Sequence, residues 1–240
     1  ACQNSRDWSA GKPSLFGVHQ SFLMIPRSIY KLLFLGATCS LFALNAVADT
    51  ASFQQAQELY KKAAWQPALE MFAAAVAKNK DSDEIATAHF FAGECAMQLS
   101  DYRQAQEHYE QVLALVGEQP LKANAQFRHS EARFLAGDVV GAARDFHDFA
   151  NSYAQHKFTP SAYNYLGQIA AEADLHDQAV TSYNFVIENF STGPEVDQAR
   201  LGLARVLLAT GRESEVPVCL GRLCQDEKQT TAAEAILLLG

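Results

Sequence analysis

Apolar residues along most of this chain recur at three- and four-residue steps. In one stretch they fall at Tyr102, Ala105, Tyr109, Val112 and Leu113, a spacing that keeps them on one face of an α-helix. The same reading predicts a helix over residues 86–99, a Ser-Asp turn, and a second helix over 102–116. Further along, residues 160–173 and 174–190 form an equivalent pair. Each pair reads as two amphipathic helices joined tightly.

The pattern repeats at a fixed period. Ala68, Ala105, Ala142 and Ala179 lie 37 residues apart, and so do Gly93, Ser130, Gly167 and Ala204. The second row runs twelve residues ahead of the first, and Ala56 and Val216 extend the two rows to five units. Units are expected near 49–85, 86–122, 123–159, 160–196 and 197–233, with a sixth starting at 234–240. A period of this size marks an array of helical repeats, each packed only on its neighbours. Gly93 and Gly167 fall inside helices, where glycine costs about 1 kcal/mol relative to alanine. A helix accepts that cost where its partner must approach closely. The alanine twelve residues later is expected to face the small residue, with Tyr109, Phe146 and Tyr183 filling the space beside them. Gly137 and Gly211 fall at turns, where a left-handed residue ends a helix at little cost.

These residues resemble the tetratricopeptide repeat. The sequence of a glycine, an alanine twelve residues on and a tyrosine four later is met by Gly93, Ala105 and Tyr109, and by Gly167, Ala179 and Tyr183. Unit three departs with Ser130 and with Arg133 at a usually apolar place, and unit five with Val216 followed by Pro217, which should sit in the first turn of its helix. The resemblance covers about residues 50–240. It implies an all-α, right-handed superhelical solenoid of antiparallel helix hairpins. It also implies that positions 5, 9 and 12 of each first helix line a concave face. By register, position 5 gives Phe53, Phe90, Phe127, Asn164 and Leu201. Position 9 gives Gln57, Glu94, Glu131, Gln168 and Arg205. Position 12 gives Tyr60, Met97, Phe134, Ala171 and Leu208. Aromatic rings on a concave wall suit a peptide with apolar anchors, and Phe90 and Phe127 are the first choice as anchors. The rival reading packs those rings between neighbouring units. The 37-residue unit is similar to the repeats of bacterial envelope proteins, the Tol-Pal coordinator and outer-membrane-assembly lipoprotein families among them.

The first 48 residues read differently. From Met24, Arg27 and Lys31 form a positive region, Leu32 to Leu44 a short apolar core, and Ala46-Val47-Ala48 a small-residue cleavage site. This is the layout of a secretory signal; an uncleaved anchor is the rival. Residues 1–23 show no helical period and read as upstream translation or a disordered segment. At the other end, the apolar Leu237-Leu238-Leu239 is not the polar cap of a solenoid, so a continuing chain is expected.

From Asp49 onward the chain carries 15 Lys and Arg against 26 Asp and Glu, a net charge of −11. Nucleic acid, which needs a basic face, is therefore not the expected partner. Cys95, Cys219 and Cys224 are too few for a disulfide framework, and Cys219 and Cys224 diverge if they share a helix. The sequence contains no metalloprotease, hydrolase-elbow or phosphate-loop motif. The histidines are spread through the units, and the candidate pairs His89/Glu94 and His129/Glu131 have the wrong helical spacing for shared ligation. The expectation is a non-enzymatic, metal- and cofactor-free scaffold that binds a protein or peptide on its concave face. Two alternatives stand beside it: the recognition arm of an enzyme whose catalytic domain follows residue 240, and a self-association module.

Overall fold

A computed structural model describes residues 52–78, 81–115, 120–190, 192–221 and 237; the signal-like segment, Cys224 and the start of a sixth unit lie outside them. The described helices belong to one compact unit, Val47–Gly240. Helix α1 covers residues 52–61. It is followed by α2 (Trp65–Lys78), α3 (Ser82–Gln98), α4 (Tyr102–Leu115), α5 (Pro120–Leu135) and α6 (Val139–Ser152). Then come α7 (Thr159–Glu172), α8 (His176–Asn189), α9 (Pro194–Ala209) and the short α10 (Val216–Leu220). No strand occurs among the described residues. Successive helices pack in antiparallel pairs, and α7 also touches α9.

The 37-residue period is written into the helix ends. The second helices α2, α4, α6 and α8 start at Trp65, Tyr102, Val139 and His176, and each is 14 residues long. The first helices keep the period only where they end, at Gln98, Leu135, Glu172 and Ala209. They start at Ser82, Pro120, Thr159 and Pro194, up to four residues ahead of the unit starts expected at Ala86, Ala123, Pro160 and Asp197. Local signals set those starts. The Asp81 carboxylate accepts from the backbone of Asp83 and Glu84, and Pro160 and Pro194 sit in first turns, where a missing N–H costs nothing.

Each hairpin turns in the same way. Ala63, Ser100, Gly137, Asp174 and Gly211, again 37 apart, all have positive φ. In each unit two backbone bonds close the turn, for example Gly137 N–H to Phe134 O at 2.9 Å and Asp138 N–H to Arg133 O at 3.1 Å. This 5→2 and 6→1 pairing is the Schellman ending of a helix. Two units use the glycines expected there; three put Ala, Ser or Asp in the left-handed position.

The close approach inside each hairpin is made by a ring. A Cβ on Gly93 would lie 2.7 Å from Tyr109 Cε1, and one on Gly167 would lie 2.7 Å from Tyr183 Cε1. The tyrosine therefore lies over the glycine itself, rather than filling space beside a glycine–alanine contact. Tyr183 also packs against Gly202 in the next unit. In unit three Phe146 replaces tyrosine, and the buried Ser130 turns its hydroxyl to the Gln126 carbonyl at 2.9 Å. The fully buried alanines Ala68, Ala105, Ala142 and Ala179 each sit in a separate core cluster, one per unit.

Candidate functional site

The first helices of units three to five, α5, α7 and α9, wall a groove of about 910 Å³. Its lining combines Phe127, Phe158, Tyr165 and Tyr183 with polar side chains that include Asn164, Gln168, Gln198 and Arg205. Of the residues expected on the concave face, Phe127, Glu131, Asn164, Gln168, Ala171, Leu201 and Arg205 line it. A smaller cleft of about 400 Å³ holds Phe53 and Gln57 with Asp83, Glu84 and Thr87.

The aromatic anchors depart from expectation. Phe127 is only 3% exposed. Phe158, from the loop before α7, stacks on it at 4.5 Å between centroids, and Phe146 and Phe149 close on it at 5.7 and 5.6 Å. Phe90 is half-buried and sits 5.8 Å from the Tyr109 ring. Tyr60 packs edge-on to Trp65 and Phe91, Met97 packs on the unit-two core, and Phe134 packs edge-on to Tyr165. The inner-row rings of units one to three are thus spent on packing, within a unit for Phe53, Phe90 and Phe127 and between units for Tyr60 and Phe134.

A polar chain runs along the inner rows of units two to four. The Tyr109 hydroxyl donates to Glu94 at 2.7 Å. Arg128 reaches Glu94 at 3.1 Å and Glu131 at 2.6 Å. The Tyr165 hydroxyl donates to Glu131 at 2.8 Å, while its ring stacks on Phe146 at 4.7 Å. Burial, with Glu94 beside it, pushes the Tyr109 hydroxyl far above its ordinary pKa, and burial with Glu131 does the same at Tyr165. Burial works against the charge on Arg128, but Glu94 and Glu131 outweigh it and raise its pKa. These contacts hold two carboxylates and a cation in one connected network. Arg128 and Tyr165 occupy position 6 of their units, one residue past position 5, and so fell outside the rows chosen from sequence.

Units four and five lack this closure. At the place of Glu94 and Glu131 stand Gln168 and then Arg205. Gln168 donates instead to Glu172 at 2.9 Å. Among the described residues no acceptor meets the Tyr183 hydroxyl. Its pKa is pushed up to about 12, by burial first, with Arg205 opposing and Glu172 adding to the rise. Asn164 fixes its amide by donating to the Glu195 carbonyl at 2.8 Å, which leaves its buried Oδ1 unpartnered; the buried His176 Nδ1, also in the groove lining, has no partner either. Buried polar atoms left unpaired are costly, and these two lie along the same wall.

The histidines form contacts the sequence did not indicate. His89 meets His108, Nδ1 to Nδ1 at 3.0 Å, rather than Glu94. His129 lies 3.3 Å from Glu110 and 3.6 Å from Asp145, rather than beside Glu131. Cys95 and Cys219 are buried free thiols. Among the described residues no group of three or more His, Cys, Asp or Glu is arranged to hold a metal, and no helix is long and apolar enough to cross a membrane.

The family profile described as the tetratricopeptide repeat matches residues 53–102, 96–150 and 166–215, more than half of the chain. The chain belongs to the tetratricopeptide repeat family. Among curated proteins none matches its sequence. Solved structures show the same repeat architecture at low identity. The tetratricopeptide-like repeats of a kinesin light chain from Podosopora anserina share 18% identity with a TM-score of 0.60, covering 75% of this chain and 97% of that one. MamA residues 41 to the end, from Desulfovibrio magneticus RS-1, share 14% at 0.63, covering 76% and 96%. YrrB, described as a tetratricopeptide repeat protein with an unusual peptide-binding site, shares 15% at 0.57, covering 78% and 90%. At these identities the likeness concerns the fold alone, a tetratricopeptide solenoid whose groove here lies over α5, α7 and α9.

Proposed function

We propose that this tetratricopeptide repeat chain is a protein-interaction scaffold that holds an extended peptide segment in the groove over α5, α7 and α9. The observation that carries this reading is the groove itself. It offers about 910 Å³ lined by three successive first helices, with aromatic surface and polar side chains interleaved. Binding sites for short segments combine such apolar surface with a few placed polar groups. The peptide-binding description of YrrB adds support by likeness of fold. On this reading the peptide lies over units three to five rather than along the aromatic rows of units one to three.

A display library of random 12-residue peptides, panned on the purified protein, tests this. Recovered peptides are expected to bind the wild type and to lose affinity by more than about tenfold when Gln198, an exposed lining residue, is changed to Trp, with melting unchanged. Recovery of no binders, or binding indifferent to Gln198→Trp, would overturn the reading.

We also propose that the protein works outside the cytoplasm, in a cell envelope. The support is the three-part signal pattern of residues 24–48, together with the similarity to envelope repeat proteins. Amino-terminal sequencing of the native protein should begin at Asp49; residues 24–48 found intact would refute cleavage.

A further inference from the structure

The groove over α5, α7 and α9 stops at unit three. Among the described residues its lining begins with Phe127, Arg128 and Glu131 on α5, and the cleft of Phe53 and Gln57 over α1 and α3 is separate from it. Two side chains stand at the boundary. Arg128 crosses from α5 to Glu94 on α3 at 3.1 Å and holds Glu131 at 2.6 Å. Phe158 stacks on Phe127 at 4.5 Å between centroids, with 20° between the ring planes. The guanidinium carbon of Arg128 lies 5.7 Å from the centre of the Phe158 ring. Unit three thus carries an apolar ring at the inner-row position where units four and five carry Asn164 and Leu201, and the chain covers that ring with a residue of its own.

Phe158 comes from the connection between α6 and α7. That connection has six residues, 153–158, where the others between units have three or four. Its extra length is tied down. Thr159 donates its hydroxyl to the Tyr153 carbonyl at 2.6 Å and its N–H to the His156 carbonyl at 3.0 Å. The Phe158 N–H donates to His156 Nδ1 at 3.3 Å, and the His156 ring meets Phe149 edge-on at 5.6 Å between centroids. A ring held in this way has little freedom left to lose when a ligand arrives, so it is a preformed wall rather than a moving lid. We propose that Phe158 sets the specificity of the groove: it fills the aromatic subsite on Phe127 from within and confines a bound segment to the span between Phe158 and α9. The proposal rests on the peptide-binding reading above and adds what the groove rejects and how much chain it takes. Three first helices packed at about 10 Å intervals span about 20 Å, which matches about six residues of extended chain.

The test pans the same 12-residue random library in parallel on the wild type and on Phe158→Ala. The variant is expected to select peptides with Phe, Tyr or Trp at one fixed position. Those peptides should bind the wild type at least about tenfold more weakly. Phe158→Tyr, which restores a ring of the same shape, should reject them as the wild type does. A ring that only held the fold together would change melting without changing which peptides are chosen. On the wild type alone, stepwise trimming of a selected peptide should leave affinity within about twofold down to a core of about six residues. Peptides from Phe158→Ala that show no aromatic preference, or that bind both proteins alike, would overturn the wall and leave the groove reading standing. A wild-type core of about nine residues or more would do the same, because such a segment has to pass Phe158. Recovery of no binders on the wild type would remove the groove reading and the wall with it.

Discussion

Units two and three are closed where units four and five are open. In the closed half, Tyr109, Glu94, Arg128, Glu131 and Tyr165 satisfy one another in a continuous chain. In the open half, the Tyr183 hydroxyl, Asn164 Oδ1 and His176 Nδ1 are left without partners among the described residues, against Asn124 Oδ1 in unit three. The backbone frame is the same in units two and four: second helices of identical length, the same left-handed turn, and a tyrosine ring over a glycine. A repeat thus supplies the frame, while one substitution at a fixed position decides whether the polar groups stabilise the fold or remain for a partner. That contrast predicts that equivalent mutations should act on stability in the closed half and on binding in the open half.

The largest effect should come from the cation of the closed network. Arg128→Leu leaves Glu94 and Glu131, whose side chains are only 13% and 15% exposed, without their shared counter-charge. Stability should fall by about 3 kcal/mol, the low end of the range for breaking a buried pair because both groups keep some solvent. Arg205→Leu removes a cation at an exposed position and should cost less than about 1 kcal/mol. Urea denaturation of the two variants checks the difference, and equal losses would erase the contrast.

The ring-on-glycine contact should come next. Gly93→Ala forces a methyl group against a ring whose hydroxyl is tied to Glu94. Overpacking should exceed the gain in helix propensity and leave a net loss of about 1–2 kcal/mol. Gly167→Ala makes the same clash, and Gly202 of the next unit also holds the Tyr183 ring, but its hydroxyl lacks the tether to a carboxylate that fixes Tyr109. A loss below about 1 kcal/mol is expected there. Gly167→Ala costing more than Gly93→Ala in thermal melts would show that the open half is the more tightly packed one.

The hydroxyls themselves sharpen the comparison further. Tyr109→Phe removes a donor from a half-buried carboxylate and should cost about 1 kcal/mol. Tyr183→Phe removes a hydroxyl with no internal acceptor and should be close to neutral in stability while weakening peptide binding. Paired melting and binding measurements on the two variants separate these outcomes.

Much of this frame was legible in the sequence. The alanine row, the rings at Tyr109, Phe146 and Tyr183, and the left-handed turns at Gly137 and Gly211 all follow from period and residue type. The turn at Ser100-Asp101 is legible too, but the left-handed conformation at Ala63, Ser100 and Asp174 is not, because backbone pairing rather than glycine imposes it there. The polar network and the groove were less legible. Register placed Phe127 and Asn164 at the same position of successive units, yet Phe127 is covered by Phe158 from an irregular loop that no period describes. The network through Arg128 depended on a contact between adjacent units at a position next to the expected rows. A signal was available: Glu94 and Glu131 in one row with an Arg on the adjoining inner row, followed by Gln168 and Arg205 where the next two carboxylates would be.

The smallest predicted effect is a pH dependence confined to the closed half. His89 on α3 and His108 on α4 face each other across the unit-two hairpin, Nδ1 to Nδ1 at 3.0 Å. Unit three has Gln126 and Asp145 at these positions and unit four has Tyr163 and Ser182, so only this hairpin carries the pair. Burial lowers the pKa of both rings, and at His108, where the charge of His89 adds to it, the value falls to about 4. As the pH drops below about 6.5 the unfolded chain takes up protons that the folded pair refuses. Stability from this pair is therefore complete above about pH 6.5 and is lost progressively down to about pH 4. Carboxylates such as Asp138, held low by the Gly141 N–H and then by Arg133, lose their contribution only at lower pH, which keeps the two windows apart. Between pH 7 and pH 5 the wild type should lose on the order of 2 °C more in melting temperature than the double variant His89→Gln with His108→Gln. Parallel melting curves for the two proteins across that interval would show that the rings are solvated in the folded state and that the hairpin does not exclude their protons.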